Sequence, residues 1–174
     1  MAHFGNWELC GAALSWLGLP FSALVRDLRS QTLNRLLTAQ RHAAGIRTIS
    51  RDRSLRSAVR TLKENGVLAI LADIDTAVEG RFVEFFGRPA YTPVGPVVLS
   101  QRYGSPTVPV FLRRTEGPYH RLEIGPPIEW AASSDSESAL VENVARFTRI
   151  IEDRIRSAPE QWVWMHPRWR TQPG

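Results

Sequence analysis

Val67-Leu68-Ala69-Ile70-Leu71-Ala72 is an unbroken apolar run, closed by Asp73. Six apolar side chains in succession leave no polar face, so a strand made of them is buried on both sides. A sheet buried on both sides needs helices on both, which is the arrangement of parallel α/β folds. The preceding segments supply such helices. Asn6 can cap a helix carrying Leu9, Ala12, Ala13, Trp16 and Leu17 at helical spacing and stopping at Gly18 and Pro20. Phe21–Val25 reads as a strand. Ser30 or Thr32 opens a helix through Leu33, Leu36, Leu37 and Ala39 to Gly45, and Ile46–Ile49 reads as another strand. Asp52 then caps a basic amphipathic helix that closes at Asn65-Gly66.

Beyond the apolar run, Arg81–Phe86 is extended and Pro93–Tyr103 fits a short helix with proline in its first turn. Thr107–Leu112 and His120–Ile124 are further strands. Asp135 to Ser157 is a long amphipathic helix with Leu140, Val144, Phe147, Ile150 and Ile151 on one face. The pattern predicts a single α/β domain over residues 1–174, with a mostly parallel central sheet flanked by helices. In such sheets ligands bind beyond the carboxyl ends of the strands, where Asp73 and Asp75 fall.

Composition narrows the class. With 43% hydrophobic and 22% charged residues the chain is globular, and a single cysteine, Cys10, excludes a disulfide framework and a cysteine-based zinc site. No apolar run approaches the ~18 residues of a membrane span. Basic residues number 22 against 17 acids, a net charge of +5, and Lys63 is the single lysine among them. Arginine forks suit phosphate and carboxylate, so anionic headgroups, phosphorylated molecules and nucleic acid are the partners to weigh. The arginines are scattered and accompany no nucleic-acid motif, which argues against nucleic acid.

Three stretches carry possible chemistry. In His3-Phe4-Gly5-Asn6-Trp7-Glu8, a helix capped at Asn6 places Glu8 in its first turn and His3 just before it, within reach of that carboxylate. A histidine oriented by an acid is a general base, although a lone histidine at this spacing more often has no role. The paired Asp73 and Asp75 could hold a divalent cation, cap a turn, or pair with Arg81 and Arg88. Phe82, Phe85 and Phe86 fit a core better than a binding surface, and the surrounding Gly and Pro suggest a loop that shapes a site. Ser105-Pro106-Thr107-Val108-Pro109-Val110 is a proline-interrupted strand suited to an edge near such a site. Cys10 lies in the apolar part of the first helix and is excluded as a nucleophile.

Together these stretches resemble the bacterial lipid A biosynthesis lauroyl/myristoyl acyltransferases, within the lysophospholipid acyltransferase superfamily. The marks are His-X4-Glu at His3 and Glu8, the block from Asp73 to Pro93, the Pro106–Val110 strand, and the ending from Pro159 to Trp169. They run in family order over essentially the whole chain. The resemblance implies a glycerol-3-phosphate acyltransferase-like fold and acyl transfer from an acyl carrier protein or coenzyme A thioester to a hydroxyl of a lipid A precursor or related glycolipid. Alternatives are a phosphatidylinositol mannoside acyltransferase and an inactive lipid-binding fragment. It implies His3 as base and Glu8 as the group that orients it, with no metal and no cofactor beyond the thioester co-substrate. Arg26, Arg41, Asp73, Asp75, Arg81, Phe86 and Arg88 become substrate-contact candidates. It further implies a peripheral place on the anionic cytoplasmic face of a bacterial inner membrane, the family's N-terminal membrane-anchor region being absent from this chain. The tail Gln161–Arg170 interleaves tryptophan with arginine, suiting either that interface or a cover for the sheet.

Overall fold

The computed structural model describes residues 1–51, 55–132 and 135–174. The elements, in order, are α1 (Trp7–Trp16), β1 (Phe21–Val25), α2 (Gln31–Ala43), β2 (Arg47–Ser50), α3 (Leu55–Lys63), β3 (Val67–Ala69), β4 (Gly80–Phe85), β5 (Arg88–Pro93), α4 (Gly95–Tyr103), β6 (Val110–Arg114), β7 (His120–Ile124) and α5 (Ser136–Ser157). A 3₁₀ turn at Pro159–Gln161 comes after α5. The fold is α/β, and its contacts divide into two compact units. The smaller is Asn6–Ile70; the larger joins Met1–Gly5 to Leu71–Gly174.

The smaller unit holds the parallel sheet, ordered β2-β1-β3. Asn6 caps α1 as expected, its side-chain oxygen accepting the Leu9 N–H, and Ser30 does the same for Leu33 at the start of α2. The expected cap at Asp52 lies outside the described residues. Cys10, Leu14, Phe21, Ala23, Ile46 and Ile49 form the core. Helix and sheet approach closely at Gly11, where a Cβ would come within 2.9 Å of Phe21 and Ile46 side-chain atoms. The apolar run, expected to be a doubly buried strand, is shorter and less buried than that. Only Val67–Ala69 pair, on one side, with β1, and Val67 and Leu68 are half-buried. Apolar sequence alone does not distinguish an edge strand leading into a covered loop from a central one.

In the larger unit two hairpins pair antiparallel, β4 with β5 and β6 with β7. The Gly and Pro around β5 suggest a site-shaping loop, but the segment is the return arm of a hairpin. Its two turn residues, Phe86 and Gly87, both have positive φ (53° and 72°). That is the twist-matched geometry of a two-residue hairpin turn. Helix α5 packs on β4 and buries Val144, Phe147, Ile151 and Ile155 at helical spacing. The fully buried Asn143 exchanges two hydrogen bonds with the backbone of Ala131, so its polar atoms are satisfied.

The N-terminal segment belongs to this unit. Phe4 bridges Trp162 antiparallel, Gly5 bridges Leu112 parallel, and the Gly5 N–H donates to the Gln161 carbonyl. Phe4 is buried with its ring edge-on to Phe111. Gly5 sits at φ +60°, where a Cβ would lie 1.8 Å from the Leu112 carbonyl oxygen. Only glycine fits there. Residues 3–5 are therefore pinned between the C-terminal tail and β6.

Candidate active site

His3 is held at three points. Its carbonyl accepts the Val163 N–H at 3.2 Å, its N–H donates to Asp73 Oδ2 at 2.8 Å, and its ring Nδ1 lies 2.9 Å from Asp73 Oδ1. Trp162 donates its indole N–H to the same Oδ2 at 2.8 Å. The Asp73 side chain has no solvent exposure, whereas the His3 side chain keeps 31%. Burial pushes the Asp73 carboxyl upward, but hydrogen bonding and charge from the His3 ring, then Trp162 and the His3 N–H, outweigh it and leave it below the usual range. An ionised Asp73 can only accept, so the proton between the two groups resides on His3 Nδ1. In the neutral ring the lone pair is then on Nε2.

The carboxylate on the imidazole is thus Asp73, seventy residues away in sequence, where the spacing suggests Glu8. Glu8 does stand in the first turn of α1, as its dipole favours. Both its oxygens are taken by Arg41 from the last turn of α2, whose Nε lies 3.1 Å from Oε1 and 3.0 Å from Oε2 and whose Nη2 lies 2.6 Å from Oε1. Arg41 also lies over the Trp7 ring at 4.9 Å and is almost fully buried. The pair clamps α1 to α2 inside the smaller unit, so the guanidinium expected to contact substrate serves Glu8.

The other candidates are dispersed. Asp75 is buried and turned to the tail: Oδ2 accepts the Thr171 N–H at 2.7 Å and Oδ1 lies 3.4 Å from Arg170. Burial raises its carboxyl, and Thr171, Arg170 and Arg168 more than compensate, so it too lies below the usual range. The two aspartates serve separate networks. Among the described residues no group of three or more His, Cys, Asp or Glu could hold a metal ion. Arg81 pairs with Glu137 at the start of α5, a bond that raises its already high pKa. Phe86 forms the β4–β5 turn; Glu152 accepts its N–H at 2.8 Å and Arg156 covers its ring at 4.6 Å. Arg88 lies over Trp169 at 5.0 Å. Arg26 is exposed just beyond the carboxyl end of β1.

Two further members of this neighbourhood, Trp162 and Arg168, fall in the family-like ending Pro159–Trp169 but are not among the expected site residues. Both lie in the Trp/Arg tail, and both are buried. Arg168 donates to the Tyr91 carbonyl at 2.6 Å and to Thr92 Oγ1, and lies over the Phe85 ring at 5.0 Å. Burial lowers it to about 10 against the opposing pull of Asp73 and Asp75. Of the two roles the tail's composition allows, interface or cover, these side chains take the second. Trp162 fastens Asp73, and Arg168 ties the tail to β5.

Over residues 1–171 the chain matches the family described as bacterial lipid A biosynthesis acyltransferase. It belongs to that family. Among its relatives is the lipid A biosynthesis palmitoleoyltransferase of Escherichia coli, 30% identical over 98% of this chain and 55% of the relative. A phosphatidylinositol mannoside acyltransferase of Mycobacterium tuberculosis is 25% identical over 97% of this chain and 53% of its own length. The lipid A biosynthesis lauroyltransferase of E. coli is 29% identical over 70% of the chain and 39% of its own length. The chain therefore spans about half the length of the first two of these acyltransferases. Among the described residues no helix is long and apolar enough to cross a membrane.

Proposed function

We propose that the protein transfers a fatty acyl group from an acyl carrier protein or coenzyme A thioester to a hydroxyl of a lipid A precursor, with His3 as general base. The observation that carries this reading is the His3–Asp73–Trp162 chain of hydrogen bonds. A thioester is already activated, because the departing thiol has a pKa of ~8.5. The remaining tasks are removing a proton from a poor nucleophile and stabilising the tetrahedral oxyanion.

In the first step Nε2 takes the hydroxyl proton as the oxygen attacks the thioester carbonyl. Asp73 holds Nδ1–H, fixes the ring plane and stabilises the imidazolium as it forms. Collapse of the tetrahedral intermediate breaks the carbon–sulfur bond. The thiolate then recovers the proton from Nε2–H, leaving ester, thiol and the starting ring. Work at the anionic cytoplasmic face of a bacterial inner membrane belongs to the same proposal. The names of the relatives favour two acceptors, a lipid A precursor and a phosphatidylinositol mannoside. Incubating the protein with labelled acyl thioester and each acceptor tests the reading. We expect acylated product that falls at least a hundredfold with His3→Ala. Equal product from parent and variant would refute it.

A further inference from the structure

The smaller unit holds ten of the chain's 22 basic residues but only four of its 17 acids, a net charge of +6, so the rest of the chain carries −1. Three of those acids are already engaged: Glu8 by Arg41, Asp27 by Ser50 and Glu64 by Arg60. The same unit also exposes large apolar side chains. Leu33 and Leu36 on α2 are 56% and 58% exposed, and Leu28, just before the helix, is also exposed.

At 100° per residue, Thr32, Leu33, Leu36, Ala39, Gln40 and Ala43 fall within an arc of about 120°. All six are exposed. The strip carries no charge, and α2 contains no acid anywhere. Arg35 and His42 border one edge, Arg29 precedes the helix, and the opposite edge is anchored inward by Arg41. An uncharged apolar face bordered by cations suits the boundary between acyl chains and anionic headgroups. Two copies of a +6 unit would repel face to face, which disfavours self-association through this strip.

We infer that α2 lies in the surface of an anionic bilayer, inserting Leu33 and Leu36 while Arg29 and Arg35 meet the headgroups. This role falls to α2 and not to the tail, which buries Trp162 and Arg168 and leaves Trp164, Met165 and Arg170 exposed. Such a contact holds the chain at the membrane from which the proposed acceptor is drawn, yet it can be tested without any reaction.

The 174-residue chain is sedimented with phosphatidylcholine vesicles, with and without phosphatidylglycerol, over a range of salt. It should bind the anionic vesicles, more weakly as salt rises. Leu33→Ser with Leu36→Ser should reduce partitioning about tenfold or more. Arg29→Gln with Arg35→Gln should reduce it about tenfold on anionic vesicles and leave neutral ones unchanged. Trp164→Ser with Met165→Ser should match the parent. All four positions on α2 and before it are exposed, and circular dichroism verifies that the variants fold. Parent-like binding by the double serine variant of α2, or loss confined to the tail variant, would overturn the inference. So would a concentration-dependent dimer that the leucine substitutions dissociate. Vesicle binding through α2 by a chain that transfers no acyl group would uphold the inference while refuting the proposed activity.

Discussion

Replacing Asp73 with asparagine keeps the shape and removes the charge, and the three donors around the side chain decide the effect. Oδ2 receives two hydrogen bonds, from the His3 N–H and the Trp162 indole, whereas Oδ1 is met by the His3 ring. The new amide oxygen keeps more bonds at the Oδ2 position, which turns the amide NH₂ towards Nδ1. Nδ1 must then accept, so the neutral ring carries its proton on Nε2 and has no lone pair for the acceptor hydroxyl. Two of the three bonds survive and the third is reversed, so the fold should lose only about 1–3 kcal/mol. The base loses its tautomer and its counter-ion together, and the rate should fall by about 10²–10⁴-fold, or about 3–5 kcal/mol of transition-state stabilisation. Initial rates with labelled acyl thioester, at saturating acceptor, read this directly, with the far-ultraviolet spectrum verifying the fold. A variant that transfers within about threefold of the parent would refute the assignment of Asp73.

Other perturbations probe the supports. Glu8→Gln weakens the α1–α2 clamp and should cost about 1–2 kcal/mol in a urea titration, while lowering the transfer rate far less than Asp73→Asn does. Gly5→Ala sets a Cβ against the Leu112 carbonyl at positive φ, and should lower the melting temperature by an amount equivalent to about 3 kcal/mol or more. Asp73 and Asp75 both titrate below the ordinary value of 3.8, so their stabilisation is complete above it and drains away as pH falls through the lowered folded values. Urea midpoints should accordingly hold from neutrality to about pH 5 and drop below about pH 4, less steeply for Asp75→Asn. Burial pushes the Cys10 thiol up to about 11, so a thiol reagent near pH 8 should label it only after unfolding.

Local features of the fold are largely legible in the sequence, because caps and periodicity act within a few residues. Asn6, Ser30 and Asp135 announce their helices, and Phe21–Val25 and His120–Ile124 form the expected strands. Long-range pairing is what spacing cannot supply. Glu8 looks like the partner of His3 because it is near in the chain, yet the ring is met by Asp73 through a loop seventy residues on. Strand β5 is concealed by its Gly and Pro neighbours, which mark turns equally well in a loop and in a hairpin. Trp162 and Arg168 stand in a tail whose composition suits a lipid interface as well as a cover. Their hydrogen bonds to Asp73, Tyr91 and Thr92 depend on where the tail returns, which no periodicity records.

Whether His3 is a base held by Asp73 is decided by the protonation of its own ring, read from ¹⁵N chemical shifts of the imidazole at alkaline pH. A proton on Nδ1 and a bare Nε2 are expected in the parent, with the two exchanged in Asp73→Asn. A parent ring protonated on Nε2 would contradict this, since that ring could not accept the proton of an incoming hydroxyl.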